Sequence, residues 1–250
     1  ATAVVITHLR EVIKKYGFDL SIICDRLNRE DLINFIHYCN INNIIINYNN
    51  NYILRWAAHY NKSEIVNLLL DNRSIDPTAD NYYSIIKCIA YNINNAVIRM
   101  LNYDNVDLCY NNNLLFVTAI SYRNYEIIEY ILNHPKFDIN IGIDKIIKIS
   151  SERGQINILK IALKYDRPSL KNSLSTGLIS ACHYQHIDII KLLLQSNNID
   201  LSYDSNAAFR ISVENKYYKI IDLLLNDSRF KPLESDCIII SRCIKRGYFD

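Results

Sequence analysis

The sequence predicts an all-α fold, a solenoid of stacked helix–turn–helix units, and three observations carry that expectation. First, the stretch Ser180–Gln195 (SACHYQHIDIIKLLLQ) returns as Trp56–Asp71 (WAAHYNKSEIVNLLLD), Thr118–Asn133 and Ile211–Asn226, with weaker copies at Cys88–Asn102 and Ile149–Lys164. Second, the apolar pair that opens each second helix starts at Ile65, Val97, Ile127, Ile158, Ile189 and Ile220, so the intervals are 32, 30 and then three times 31 residues. Self-similarity at such a period marks a repeat array. Third, half of the 250 residues are apolar. Neither short helix of a unit can bury its stripe alone, so the interior has to form between neighbouring units.

Taken in order, residues 1–16 read as an amphipathic helix with Leu9, Val12 and Ile13 on one side. Gly17-Phe18-Asp19 resembles the exit of a unit, which makes 1–19 a half unit. Residues 20–46 form a divergent unit with helices at Leu20–Leu27 and Glu30–Cys39. Asn28 is placed to cap the second of these, with Asp31 near its positive start. Repeats follow at 47–79, 80–110, 111–140, 141–171, 172–203 and 204–234, and 235–250 supply only the first helix of another. Ile238–Ile240 and Ile244 would lie in that uncapped end, which points to a piece of a longer array, since solenoids finish in polar caps.

Each repeat follows one logic. The first helix carries small residues at its centre: Ala57-Ala58, Ala90, Ala119, Ser150-Ser151, Ala181-Cys182 and Ser212. The second carries the i, i+3, i+4 apolar pattern, as in Ile189, Leu192 and Leu193. Turn-forming Asp, Asn and Pro fill the connections, for example Asp76-Pro77, Asp138, Asp200 and Pro232.

Net charge is +2, and the absence of a long basic block argues against a nucleic-acid partner. No apolar run reaches the length of a membrane span, and no signal peptide is expected. The seven Cys are odd in number and widely spaced, with no C-x-x-C. That indicates neither a zinc site nor a disulfide framework and suits a reducing compartment. A soluble, intracellular protein of the cytoplasm is the expectation. Asn, Ile, Tyr and Lys are abundant and share A/T-rich codons, so the composition reads as genome bias rather than as a prion-like tract.

The repeated phrase resembles that of ankyrin-repeat proteins, T-P-L-H-x-A-A-x-x-G-H-x-x-I-V-x-x-L-L. Tyr52–Ala58 stands in its first part, Ile187–Leu193 in its second, and His186 matches the family histidine. No unit keeps T-P-L-H; Arg55, Lys87, Val117, Lys148, Ile179 and Arg210 replace the histidine of that motif. The turn glycine survives as Gly154 and Gly247, with Asn61, Ile93, Arg123, Gln185 and Lys216 elsewhere. Isoleucine is costly in a left-handed turn, so the turn of the second repeat is expected to be rebuilt. The loop wording (LLLDNRSIDPTADNY, YILNHPKFDIN, LLLNDSRFKP) is similar to ankyrin arrays of large DNA viruses of amoebae.

No catalytic constellation stands out. Cys182-His183-Tyr184-Gln185-His186 lacks a second ligand pair at zinc spacing, and adjacent helical residues such as Cys182 and His183 point about 100° apart. No nucleotide, metalloprotease or nucleophile-elbow motif occurs. No cofactor or metal is expected, and the chain reads as a non-enzymatic scaffold for a protein partner. The alternatives are a structural component of a larger assembly, including a virion, and the ankyrin arm of an enzyme or ubiquitin-ligase adaptor.

The resemblance implies that a partner meets the turn tips and the concave side of the first helices. Two columns are expected there. One is His59, Tyr91, Ser121, Glu152, His183 and Glu214, and the other Tyr60, Asn92, Tyr122, Arg153, Tyr184 and Asn215. The binding residues expected from them, with the adjoining Trp56, are Trp56, His59, Tyr60, Tyr91, Tyr122, Arg153, His183 and Tyr184, because Tyr, Trp and Arg bring large contact area at low rotamer cost.

Overall fold

The computed structural model describes residues 23–24, 26–165, 168–233, 236 and 241. The half unit expected at 1–19, the start of the helix expected at Leu20–Leu27 and nearly all of the end expected at 235–250, Cys237 and Cys243 included, lie outside the described residues. The described residues contain no strand. The chain forms two compact units, one up to Phe137 and one from Asp138.

In the first unit α1 (Arg29–Ile41) is followed by three helix pairs: α2 (Tyr48–His59) with α3 (Ser63–Leu69), α4 (Ala79–Ala90) with α5 (Asn94–Leu101), and α6 (Tyr110–Ser121) with α7 (Tyr125–Leu132). The first helices α2, α4 and α6 pack in series as one layer, and α1, α3, α5 and α7 as the other. The second unit repeats the plan with α8 (Ile139–Arg153), α9 (Ile156–Leu163), α10 (Lys171–His183), α11 (Ile187–Leu193), α12 (Tyr203–Glu214) and α13 (Tyr218–Leu225), with a 3-10 turn at Pro168–Leu170. The small residues let the first helices approach: Ala57, Ala119, Ser150, Ala181 and Ser212 are all fully buried. Asn28 caps α1 as expected, its side chain accepting from the Asp31 N–H at 2.9 Å.

The backbone corrects the register of the second repeat. A left-handed residue separates the helices of every pair: Asn61, Asn92, Arg123, Gly154, Gln185 and Lys216, with φ between 53° and 66°. The spacing of these residues is 31 throughout. The turn residue of the second repeat is therefore Asn92, not Ile93. Ile93 has φ −82° and sits buried as the N-cap residue of α5. No turn is rebuilt there, because Asn tolerates the left-handed region. The apolar pair becomes Ala96-Val97, both fully buried. Cys88 takes the small-residue place given to Ala90, and Ile86 the place given to Lys87.

Each first helix of the first unit is entered through three consecutive left-handed residues, Asn49–Asn51, Asp80–Tyr82 and Asn111–Asn113. In the second unit α12 is entered the same way through Asp204–Asn206. An ordinary side chain loses about 1–2 kcal/mol per residue in this conformation, and Asn and Asp lose least. Among the described residues, eleven of the eighteen non-glycine residues with positive φ are Asn, so the abundance of Asn has a backbone use beyond codon bias. The run turns its third side chain inward to clasp the next connection. Asn51 Oδ1 accepts from the Asp76 N–H at 3.1 Å, and Tyr82 Oη from the Asp107 N–H at 3.0 Å. In the second unit Asn206 Nδ2 donates to the Lys231 carbonyl at 2.9 Å. Asp76, Asp107, Asp138 and Asp200 then close turns by accepting from the N–H two residues on.

One stability measurement tests this account. Asn111, exposed at φ 45°, should lose about 1–2 kcal/mol on Asn111→Val, because a β-branched residue is worst placed there. Asn111→Gly should stay within about 1 kcal/mol of the parent. Equal urea midpoints for parent and valine variant would show that the left-handed run is not kept in solution.

Candidate protein-binding surface

The surface is built at the ends of the first helices. Tyr60, Tyr91 and Tyr122 are the C-cap residues of α2, α4 and α6, and Tyr184 is that of α10. The N–H of each donates to the carbonyl four residues back at 3.0 Å. The next residue is left-handed in every case, so the chain leaves the helix and no further turn covers the ring. The tyrosines stand 57%, 43%, 56% and 54% exposed. The 31-residue register moves Tyr91 out of the column of His59 and Ser121 and into line with Tyr60 and Tyr122. Ala90 takes its former place and Asn92 goes to the turn. In the first unit three successive repeats thus present the same aromatic residue at the same position.

Beside Tyr60 lies a groove of about 260 Å³ lined by Tyr52, Arg55, Trp56, His59, Tyr60 and Tyr83. His59 Nδ1 lies 2.6 Å from Tyr83 Oη, with the two rings 13° from parallel. Trp56 and Tyr60 have centroids 5.6 Å apart. Arg55 is pinned from three sides, donating to the Asn50 carbonyl at 2.9 Å, the Asn49 carbonyl at 3.1 Å and the Asp80 carboxylate at 2.9 Å. The lysine ammonium of Lys87 sits 5.4 Å from the Tyr83 ring centre, a cation–π distance. The structure thus brings Trp56, His59 and Tyr60 together as expected. It adds Tyr52, Arg55 and Tyr83, which sequence reasoning missed although Tyr52 and Tyr83 are themselves 31 residues apart. A second groove, lined by Ile98, Glu126, Glu129, Tyr130 and His134, runs along the second helices.

In the second unit Arg153 ends α8 beside Gly154, and His183 and Tyr184 end α10. His183 and Tyr184 pack edge-on at 4.9 Å. His186, whose ring lies 6.3 Å from that of Tyr184, has its Nε2 donating to the Glu152 carbonyl at 3.1 Å, which makes it a tie between neighbouring turns. Cys182 is fully buried, and burial pushes its thiol up to about 12. Cys39 and Cys88 are pushed up to about 12 for the same reason. Such thiols carry almost no thiolate at neutral pH and make poor nucleophiles. Among the described residues no three His, Cys, Asp or Glu gather where a metal ion could be held, and no helix is long and apolar enough to cross a membrane.

Short helix pairs stacked through their apolar stripes, with aromatic helix ends left open, define a repeat protein whose surface is its working part, a protein–protein interaction module. Ankyrin-repeat models match residues 49–82, 110–141 and, as three copies, 147–236, together more than half of the chain. The chain belongs to the ankyrin-repeat family. No curated protein and no solved structure matches it significantly.

Proposed function

We propose that the chain is a non-enzymatic scaffold that captures one protein partner on the side formed by its first helices. The observation that carries this reading is the alignment of Tyr60, Tyr91 and Tyr122 at one exposed position of three consecutive repeats, next to the Trp56–His59 groove. Tyr and Trp bury large area with few rotatable bonds, which is why they dominate binding energetics at interfaces. In the second unit Arg153, His183 and Tyr184 occupy the matching helix ends and are proposed as further contacts. Free buried thiols support a reducing, intracellular setting. The loop wording that resembles arrays of large DNA viruses of amoebae supports a host-directed viral adaptor acting in the cytoplasm.

The test is capture of partners from the native cell, read by mass spectrometry, with the parent and with a Tyr60→Ala, Tyr91→Ala, Tyr122→Ala triple variant. Exposed substitutions cost little stability, so the thermal midpoint should stay close to the parent. If each tyrosine contributes about 1–2 kcal/mol, the partner should be lost by 100-fold or more. Unchanged capture by a folded triple variant would refute the surface. Co-purification of many particle proteins, insensitive to the three substitutions, would instead favour a structural role in an assembly.

A further inference from the structure

The first unit divides its charge between its two helix layers. The first helices with their turns, residues 48–62, 79–93 and 110–124, contain Arg55, Lys62, Lys87 and Arg123 against a single acid, Asp80. Residues 63–72, 94–103 and 125–134, the second helices with their ends, contain Glu64, Asp71, Glu126 and Glu129 against Arg99. On the first-helix side Arg55 is held by Asp80 at 2.9 Å. Among the described residues Lys62, Lys87 and Arg123 face no carboxylate at ion-pair distance. The layer that carries the tyrosine column is therefore the cationic one, and the charges it lacks would come from a partner.

The spacing of the column narrows the partner further. Packed helices lie about 8–10 Å apart, and one first helix brings one tyrosine. A polyproline II segment rises about 3.1 Å per residue with three residues per turn, so it repeats every ~9.3 Å. An extended strand returns to one face every two residues, about 6.6–6.8 Å, and an α-helix turns every 5.4 Å or so. Of these three, the polyproline II repeat matches one residue per tyrosine in consecutive repeats. We infer that the occupant of this surface is an acidic, proline-rich segment of the partner in the polyproline II conformation. One ring of each ligand turn would lie on Tyr60, Tyr91 and Tyr122 in succession, with the acidic side chains toward Lys62, Lys87 and Arg123. Aromatic grooves suit such segments because the ligand is ordered before it binds and loses little entropy. A single-stranded nucleic acid would also use aromatic rings and cations. Three cations without an internal acid over three repeats, in a chain of net charge +2, make a sparse track for a phosphate backbone.

This inference rests on the protein-capture reading, and the experiment separates the two. The full chain is titrated with labelled (Glu-Pro-Pro)4, (Lys-Pro-Pro)4, alternating (Glu-Val)6 and a twelve-nucleotide oligothymidylate, with fluorescence anisotropy as readout. The acidic proline peptide should bind at least tenfold more tightly than each of the other three probes. Tyr91→Ala should weaken it by about tenfold, and Lys87→Gln with Arg123→Gln should weaken it and flatten its salt dependence. Equal affinity for the two acidic peptides, or tighter binding of the lysine peptide or the oligonucleotide, overturns the inference. So does absence of binding to the acidic proline peptide; if partner capture from the cell still depends on the tyrosines, only the partner chemistry falls and the capture surface stands.

Discussion

Phe116→Ala should cost about 3–5 kcal/mol of stability, the loss expected when a buried aromatic side chain is removed and its cavity remains. Phe116 is fully buried within α6, and its ring centre lies 4.9 Å from that of Phe137 in the following connection. The second unit repeats the arrangement 93 residues on, with Phe209 and Phe230 at 4.9 Å. The ring joins the first helix to the loop that closes the repeat, so its loss weakens two contacts of the stack together. Stability in such arrays is roughly a sum of local terms and neighbour interfaces. The whole deficit should therefore appear in urea unfolding followed by circular dichroism. Phe116→Leu, which keeps most of the volume, should cost much less. A loss below about 1 kcal/mol for the alanine variant would mean that the repeat does not pack around this ring.

The stacked-helix fold was legible because burial dictates it. An array interior needs bulky pairs where second helices meet their neighbours, and Ile127-Ile128, Ile158-Leu159, Ile189-Ile190 and Ile220-Ile221 say so directly. The same logic misled at the second repeat. Aligning on bulk chose Val97-Ile98, whereas the backbone places Ala96-Val97 there. The one-residue slip also set Tyr91 in line with His59, so the four tyrosines were expected on one surface but not at one repeated position. The left-handed position was the better ruler: Asn61, Asn92 and Arg123 are spaced evenly, but only backbone angles reveal them. The left-handed runs were unreadable for a related reason. Such runs are rare outside glycine, and Asn-Asn-Asn reads as a generic polar turn. Residues that act through packing on a neighbour, such as Tyr83 against His59, depend on which repeats touch and become visible only with the stack.

The other large effect concerns the two positions that match the ankyrin phrase most closely, Gly154 and His186. They meet across adjacent repeats. Gly154 is left-handed at φ +66°, and a Cβ built there would stand 2.8 Å from His186 Nδ1 and 2.9 Å from its Cε1. Gly154→Ala therefore carries a backbone strain of about 1–2 kcal/mol and an overpacking cost of about 1–3 kcal/mol. The ring cannot simply retreat, because its Nε2 is held by the Glu152 carbonyl at 3.1 Å. Gln185 shows that a side chain is tolerated at this turn position where the next repeat offers Tyr217 instead of a histidine. The expectation is a total loss of about 2–5 kcal/mol for Gly154→Ala. In the His186→Ala background the overpacking disappears, and the same substitution should cost only the strain. A double-mutant cycle on urea unfolding free energies should then show a coupling of about 1–3 kcal/mol, the overpacking cost itself, well above the few tenths expected of independent sites. Additive losses would mean that the glycine is required by its backbone angle alone and that His186 does not lie over it.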